Sequence, residues 1–208
     1  MVDLFLKGGP LMYPLLLGSV LMFAVIVERA IHFIGTVERP RALERLKDLL
    51  RRGEYGPALE IARGERSPVF TLIVELLRMK NGTREEIENR LSLVGDGMLR
   101  RLSKNLHLLE LTGRIAPMIG LLGTVLGMVE AFQKVSFMKN IVNPSILASG
   151  IWEALITTVT GLFVGIPALI AYHLYSNRVK ALAFSMKHNC EEILSVMESG
   201  PLMENTGD

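Results

Sequence analysis

The sequence predicts an all-α membrane protein with three transmembrane helices, in which long helices extend into a helical cytoplasmic region. Hydrophobic residues make up 50% of the 208 residues, and they concentrate in three long apolar runs. Each run can cross a hydrocarbon core of about 30 Å, which requires roughly 20 residues. No segment shows the alternating pattern of a β-strand. The net charge of only +2 gives no basic field that would attract nucleic acid.

The apolar runs and the charged stretches between them divide the chain into seven segments. The first run is uncharged from Leu11 to Val27, and it reaches Ile34 if Glu28 and Arg29 lie at the membrane interface. The predicted segments are, in order, an N-terminal interfacial segment (1–10), transmembrane helix 1 (11–34), a cytoplasmic helical region (35–114), transmembrane helix 2 (115–138), a periplasmic loop (139–147), transmembrane helix 3 (148–177) and a cytoplasmic C-terminal helix and tail (178–208).

Basic residues set the predicted orientation of these segments. Most Lys and Arg residues lie in residues 35–114, and they cluster near both ends of that segment. Loops rich in Lys and Arg stay on the cytoplasmic side of a membrane. We therefore expect the N-terminus and the loop between helices 2 and 3 on the outer side of the membrane, and the C-terminus in the cytoplasm.

The cytoplasmic region is predicted to form a series of amphipathic helices. Thr83 followed by Glu86 forms a capping box, which opens a helix that the pattern carries through Leu111. This helix can continue into the second transmembrane helix without a break. Apolar residues at helical spacing likewise carry the third transmembrane helix on to Met197.

A single acidic residue, Glu153, lies in the third apolar run. Asn143-Pro144 reads as an N-cap followed by proline at the first helical position. Glu153 then lies roughly 14 Å inside the helix start, at about 1.5 Å per residue. A carboxylate at that depth costs several kcal/mol unless it faces water, a cavity or a partner. Glu153 is therefore the leading candidate for a functional residue.

Hydroxyl side chains share the predicted face of Glu153. Ser149, Thr157 and Thr160 repeat at helical spacing with it, and Thr158 lies beside them. Such hydroxyls often form hydrogen bonds to neighbouring helices in membranes, so a purely structural role in helix packing is one interpretation. Because packing does not require a carboxylate, we favour the second interpretation, in which Glu153, Thr157 and Thr158 line an ion path.

Small residues on the second and third transmembrane helices predict a close helix pair. Gly123 and Gly127 are spaced four apart, as are Gly161 and Gly165, and such pairs let backbones approach closely. The pair would bring Thr124 near the level of Glu153. Two further residues, Pro117 and Pro167, each remove an internal hydrogen bond, and each either kinks its helix or is simply tolerated.

Signals for other chemistry are missing from the sequence. The four histidines share no metal-ligand spacing. Cys190 is the single cysteine of the sequence, so it has no second cysteine with which to bind a metal. No phosphate-binding loop or nucleophile motif occurs. Glu130 and Lys134, four residues apart, read as a helical ion pair. We expect no enzyme activity, no metal and no cofactor.

An oligomer resolves a problem that these features create. Three helices cannot enclose a polar path, and a lone glutamate cannot face lipid. A homo-oligomer arranged around an axis, with the second and third helices facing inward, satisfies both requirements.

Three stretches resemble the ExbB/TolQ/MotA proton-channel family, most closely ExbB and TolQ. The first runs from Gly8 through Arg29, the second is the sequence from Gly120 to Met128, and the third begins at Glu153 and continues through Ala168. The second and third are the specific ones. Trp152 departs from the small or polar residue expected before the glutamate.

The resemblance implies a homopentameric scaffold in the bacterial inner membrane. Its lumen would hold the single transmembrane helices of an ExbD/TolR-like partner, whose aspartate carries protons. The pore glutamate of the family corresponds to Glu153, and its pore threonines correspond to Thr124 and Thr158. The complex would use proton-motive force, in a TonB or Tol-Pal system, to drive a TonB- or TolA-like protein.

Two other functions stay open on the sequence. The chain could be a purely structural membrane scaffold in which Glu153 pairs with a charge on a partner that alone carries protons. A flagellar-type stator subunit is the third interpretation, and the count of three transmembrane helices instead of four argues against it.

Overall fold

The computed structural model describes residues 9–34, 40–137 and 144–199, and nearly all of them are helical. These ranges contain no strand. The helices are α1 (Met12–Ile34), α2 (Pro40–Arg51), α3 (Tyr55–Gly64), α4 (Pro68–Arg78), α5 (Arg84–Leu102), α6 (Leu106–Phe137) and α7 (Pro144–Ser199). The predicted all-α class is confirmed.

Three of these helices, α1, α6 and α7, are long and apolar enough to cross a membrane. The expectation of three transmembrane helices is therefore confirmed by length and composition. Helix α7 is 56 residues long, so the predicted continuation of the third transmembrane helix is also confirmed. The proposed N-cap Asn143, most of the N-terminal interfacial segment and part of the periplasmic loop lie outside the described residues.

The expected continuous helix from Thr83 into the second transmembrane helix is wrong. The capping box is present, with the Thr83 hydroxyl accepting from the Glu86 amide, but α5 ends at Leu102 and α6 begins at Leu106. Asn105 adopts a left-handed conformation, with φ of 63°, which asparagine tolerates better than most residues. Apolar periodicity continues across the break and so conceals it.

Arg29 binds the end of α5. Its guanidinium donates to the carbonyl oxygens of Arg101 at 3.2 Å and Leu102 at 3.1 Å. The last carbonyls of a helix lack partners within the helix, and a cation near them is favoured by the helix dipole. Arg29 is 3% exposed, so this arginine is held inside the protein as a helix cap.

The described residues form two compact units. The first, within residues 9–28 and 105–175, contains most of α1, all of α6 and the first part of α7. In it α6 and α7 run antiparallel and touch at small residues. A Cβ atom at Gly161 would lie 2.6 Å from the Ala116 carbonyl oxygen, and one at Gly165 would lie 2.6 Å from the Pro117 ring. Both helices continue through their prolines.

The second unit lies within residues 29–104 and 176–199 and contains α2 to α5 with the end of α7. Its core is apolar, and the largest fully buried side chains are Leu46, Val69, Phe70, Ile73, Leu76 and Ile193. An ion pair joins α2 to α7, with the Lys47 ammonium 2.6 Å from a Glu192 carboxylate oxygen. A second pair joins Arg84 to Glu198 at 2.8 Å.

Candidate functional site

Glu153 lies on α7, half-buried, between two cavities of the first unit. One cavity, of about 370 Å³, lies between α6 and the start of α7 and is lined by Gly127, Glu130, Ala131, Lys134, Ser145, Ser149, Gly150 and Glu153. The other, of about 310 Å³, opens toward the chain before α1 and is lined by residues that include Gly9, Gln133, Glu153 and Thr157. The carboxylate is therefore reached from two sides, as the depth of this acid in the helix required.

Gly9 closes against the Glu153 carboxylate. A Cβ atom at position 9 would lie 2.7 Å from Glu153 Oε1, closer than side-chain carbons come to any atom. Gly9 also has a φ of 69°, a conformation that residues with side chains rarely adopt. A side chain at position 9 would displace the end of the Glu153 side chain and adopt a rare backbone conformation, so the chain before α1 helps to shape the site. Sequence reasoning missed this role, although the Gly8-Gly9-Pro10 run was visible.

Thr157 is packed into the helix pair. It is 2% exposed, and its hydroxyl donates to the Glu153 backbone carbonyl at 3.0 Å. Its methyl group lies against Gly123, where a Cβ atom would come within 2.5 Å of it. The structure therefore brings Thr157 next to Glu153, with its side chain in a packing position.

Thr158 and Thr124 hold their hydroxyls differently. The Thr158 hydroxyl crosses from α7 to α6 and donates to the Gly120 carbonyl oxygen at 2.8 Å. The Thr124 hydroxyl donates to the Leu121 carbonyl oxygen of its own helix at 2.6 Å, and the residue is partly exposed. Thr124 lines an open groove along α6, which shares Val129 and Gln133 with the second cavity. Neither Glu153 cavity is lined by Thr124 itself.

Glu130 and Lys134 are the charged residues whose place in the site the sequence did not show. Glu130 lines both cavities, and Lys134 lines the first. Their side chains form an ion pair of 2.8 Å, as their spacing predicts. Spacing along α6 alone gives no sign that the pair faces α7, and the hydrophobic pattern of α6 does not mark that face. Trp152, next to Glu153 in the chain, is 57% exposed and lines neither cavity.

Comparison with known proteins gives a consistent result. The model of the MotA/TolQ/ExbB proton channel family matches residues 63–188, more than half of the chain. A putative biopolymer transport protein ExbB homolog from Methanothermobacter thermautotrophicus is 27% identical over 181 residues, which cover 86% of this chain and 63% of that protein. A putative ExbB-like protein from Synechocystis is 30% identical over 83% of this chain and 69% of its own length.

A third relative extends the likeness to a second group. The Tol-Pal system protein TolQ from Haemophilus influenzae is 35% identical over 99 residues, which cover 48% of this chain and 43% of that protein. The chain thus spans only part of the length of the curated relatives that it matches, and a little under two thirds of the Methanothermobacter protein.

Proposed function

The chain belongs to the MotA/TolQ/ExbB proton channel family, and from this premise we propose that it forms the proton channel of a motor complex that drives work at the outer membrane. It is an energy-transducing subunit of the inner membrane with several transmembrane helices. The observation that carries the proposal is the Glu153 carboxylate, which lies on an apolar helix between two cavities. Ion passage of this kind needs no covalent catalysis and no cofactor.

The proposed complex contains several copies of this chain around an ExbD/TolR-like partner. Five copies would enclose a lumen, with α6 and α7 facing inward and the partner's single transmembrane helices inside. Support for this arrangement comes from the apolar side chains that α6 leaves exposed, including Met118, Leu121 and Val129. A TonB- or TolA-like protein would receive the resulting movement, and the N-terminus of this chain would lie in the periplasm.

Glu153 has a specific task in this proposal. It binds a proton on its way to or from the partner's aspartate, because two carboxylates at close range in a low dielectric share a proton. Thr158 holds α7 against α6 through its hydrogen bond to Gly120, and Thr157 bonds the backbone carbonyl of Glu153 within α7, so both position Glu153. Thr124 would face the lumen from the exposed side of α6.

The scaffold interpretation has one observation in its favour. The hydroxyls of Thr157 and Thr158 make the bonds expected of structural polar residues in a membrane bundle. A scaffold requires only that Glu153 pair with a charge on the partner, whereas a carboxylate that two cavities reach can also exchange a proton. The charge of Glu153 therefore separates the two functions.

Substitution of Glu153 tests the proposal. Glu153→Gln keeps the size and hydrogen bonding of the side chain but removes its charge, whereas Glu153→Ala removes both. We expect both variants to assemble and to lose proton-motive-force-dependent function, measured as uptake or envelope integrity in cells that lack the native gene. Full activity of Glu153→Gln would reject a titrating role and favour the scaffold.

A further inference from the structure

The two cavities at Glu153 share a second acid. Glu130 lines both of them, and Lys134, its ion-pair partner, lines the cavity between α6 and the start of α7. Among the described residues that line these cavities, Glu130, Lys134 and Glu153 are the charged ones. Lys134 and Glu153 line the same cavity, on facing helices. One cation therefore lies within reach of two carboxylates.

The ion pair on α6 is weakly held. The side chains of Lys134 and Glu130 are 59% and 60% exposed, so packing does not fix either of them. A helical pair at this spacing contributes only about 0.2–0.5 kcal/mol. Lysine also has a long flexible stem and a compact charge, which allow it to change partners. The energy needed to move the ammonium from Glu130 toward Glu153 is correspondingly small.

We propose that Lys134 is a positioning residue that controls the proton on Glu153, and that Glu130 controls Lys134. This inference rests on the proposed function of Glu153. When the ammonium pairs with Glu130, it stabilises the Glu153 carboxylate less, and Glu153 binds a proton arriving through the cavity. When the ammonium turns toward Glu153, it stabilises the carboxylate, and the O–H bond breaks with transfer of the proton to water or to the partner's acid. As the Glu153 O–H bond breaks, an O–H bond forms on the acceptor, and no other bond changes.

The same helix carries a matched pair without this role. Glu110 and Arg114 are also four residues apart on α6, and their charged atoms lie 2.7 Å apart. Neither residue lines the cavities of Glu153. If the protonation of Glu153 depended on any ion pair along α6, substitutions in either pair would change it equally. A property that depends on the neighbourhood of Glu153 would respond only at Glu130 and Lys134.

The test measures the proton on Glu153 directly. A hydrophobic carbodiimide modifies protonated carboxyl groups in apolar surroundings, and mass spectrometry of peptides separates Glu153 from Glu130. The full chain is labelled in membrane vesicles across a range of pH. Lys134→Gln removes the cation, so the pH of half-maximal Glu153 labelling should rise by about one unit, at the low end of the effect of a lost opposite charge.

Three further variants distinguish the effect of the Lys134 charge near Glu153 from a general effect of substitution. Glu130→Gln leaves Lys134 to pair with Glu153 alone, so half-maximal labelling should shift to lower pH, opposite to Lys134→Gln. Lys134→Arg keeps the charge and should keep the wild-type profile. Arg114→Gln, the matched control, should also leave it unchanged.

The outcomes separate this inference from the proposed function. Labelling of Glu153 that depends on pH but does not respond to Lys134→Gln and Glu130→Gln would overturn the inference alone. Equal shifts in Arg114→Gln would also overturn it, because the effect would then be general. Absence of any pH-dependent labelling of Glu153 in the wild-type protein would overturn the proposed function and this inference together.

Discussion

At the residue scale, identical hydroxyl groups have different tasks that only the structure separates. The sequence places Thr124 and Thr158 in one predicted pore set, yet one hydroxyl bonds its own helix and the other bonds a neighbouring helix. The distinction depends on which helix faces α7, and it arises from long-range packing. Glu153 was predictable because an acid in an apolar run is costly wherever it lies. The position of Glu130 and Lys134 in the Glu153 cavity was not predictable, because their spacing of four residues is already explained by an ion pair along one helix.

Thr158 is predicted to stabilise the helix pair through its hydroxyl. Thr158→Val removes the bond to the Gly120 carbonyl oxygen and keeps the side-chain size, so we expect a loss of about 0.6 kcal/mol, the average for such bonds in a membrane protein. Thr158→Ser keeps the hydroxyl and should lose less. The measurement is thermal unfolding of the purified protein in detergent.

The matched control is Thr124→Val, since the Thr124 hydroxyl bonds only within its own helix. It should leave the unfolding temperature unchanged. If Thr158→Val unfolds like the wild type but abolishes proton-driven function, the hydroxyl belongs to the proton path and not to the packing.

At the element scale, the sequence predicted helix ends and lengths correctly where the residues that determine them are close together in the chain. The capping box of α5 and the length of α7 follow from residues near one another in the chain, and both are confirmed. The break between α5 and α6 depends on the left-handed conformation of Asn105 and on Arg29, far away in the sequence. Local patterns cannot report a distant cap, so the two helices were predicted as one.

The contact between α2 and α7 is predicted to depend on pH. The hydrogen bond from Lys47 lowers the pKa of Glu192 below its ordinary value, and Arg51 and His188 lie near the same carboxylate. A depressed pKa stabilises the fold above the ordinary pKa of glutamate, and this contribution is lost as the pH falls through the lowered value. Lys47→Gln should therefore destabilise the protein at pH 7 and much less at about pH 3, below the ordinary glutamate range.

The expected loss at neutral pH is no more than about 1 kcal/mol, because the carboxylate is partly exposed to solvent. Thermal unfolding at both pH values measures it. Lys187→Gln is the control, since its pair with Glu191 is 3.7 Å long and largely exposed. Equal destabilisation by Lys47→Gln at both pH values would show that the lysine acts through packing alone.

At the scale of the whole molecule, the orientation in the membrane is the main prediction. The charge distribution predicts that residues 35–114 lie in the cytoplasm and the loop after α6 in the periplasm. A cysteine at Lys139 should react with a membrane-impermeant maleimide in intact cells, and a cysteine at the exposed Arg63 should not. Reaction at Arg63 in sealed cells would contradict the orientation.

The native thiol suits this experiment. Cys190 is buried, and burial raises its pKa to about 12, so little reactive thiolate forms at neutral pH. Labelling can therefore be read without removal of the native cysteine. The wild-type chain, treated in the same way, gives the background.

The continuous helix α7 also has a consequence for the order of events during synthesis. Its first part belongs to one compact unit and its last part to the other, so neither unit can close before α7 leaves the ribosome. At about 5–20 residues per second, the synthesis of α7 takes several seconds after α6 is complete. During that time the glycine-lined face of α6 has no intramolecular partner. Chaperones and proteases of the membrane thus meet an incomplete chain for most of its production.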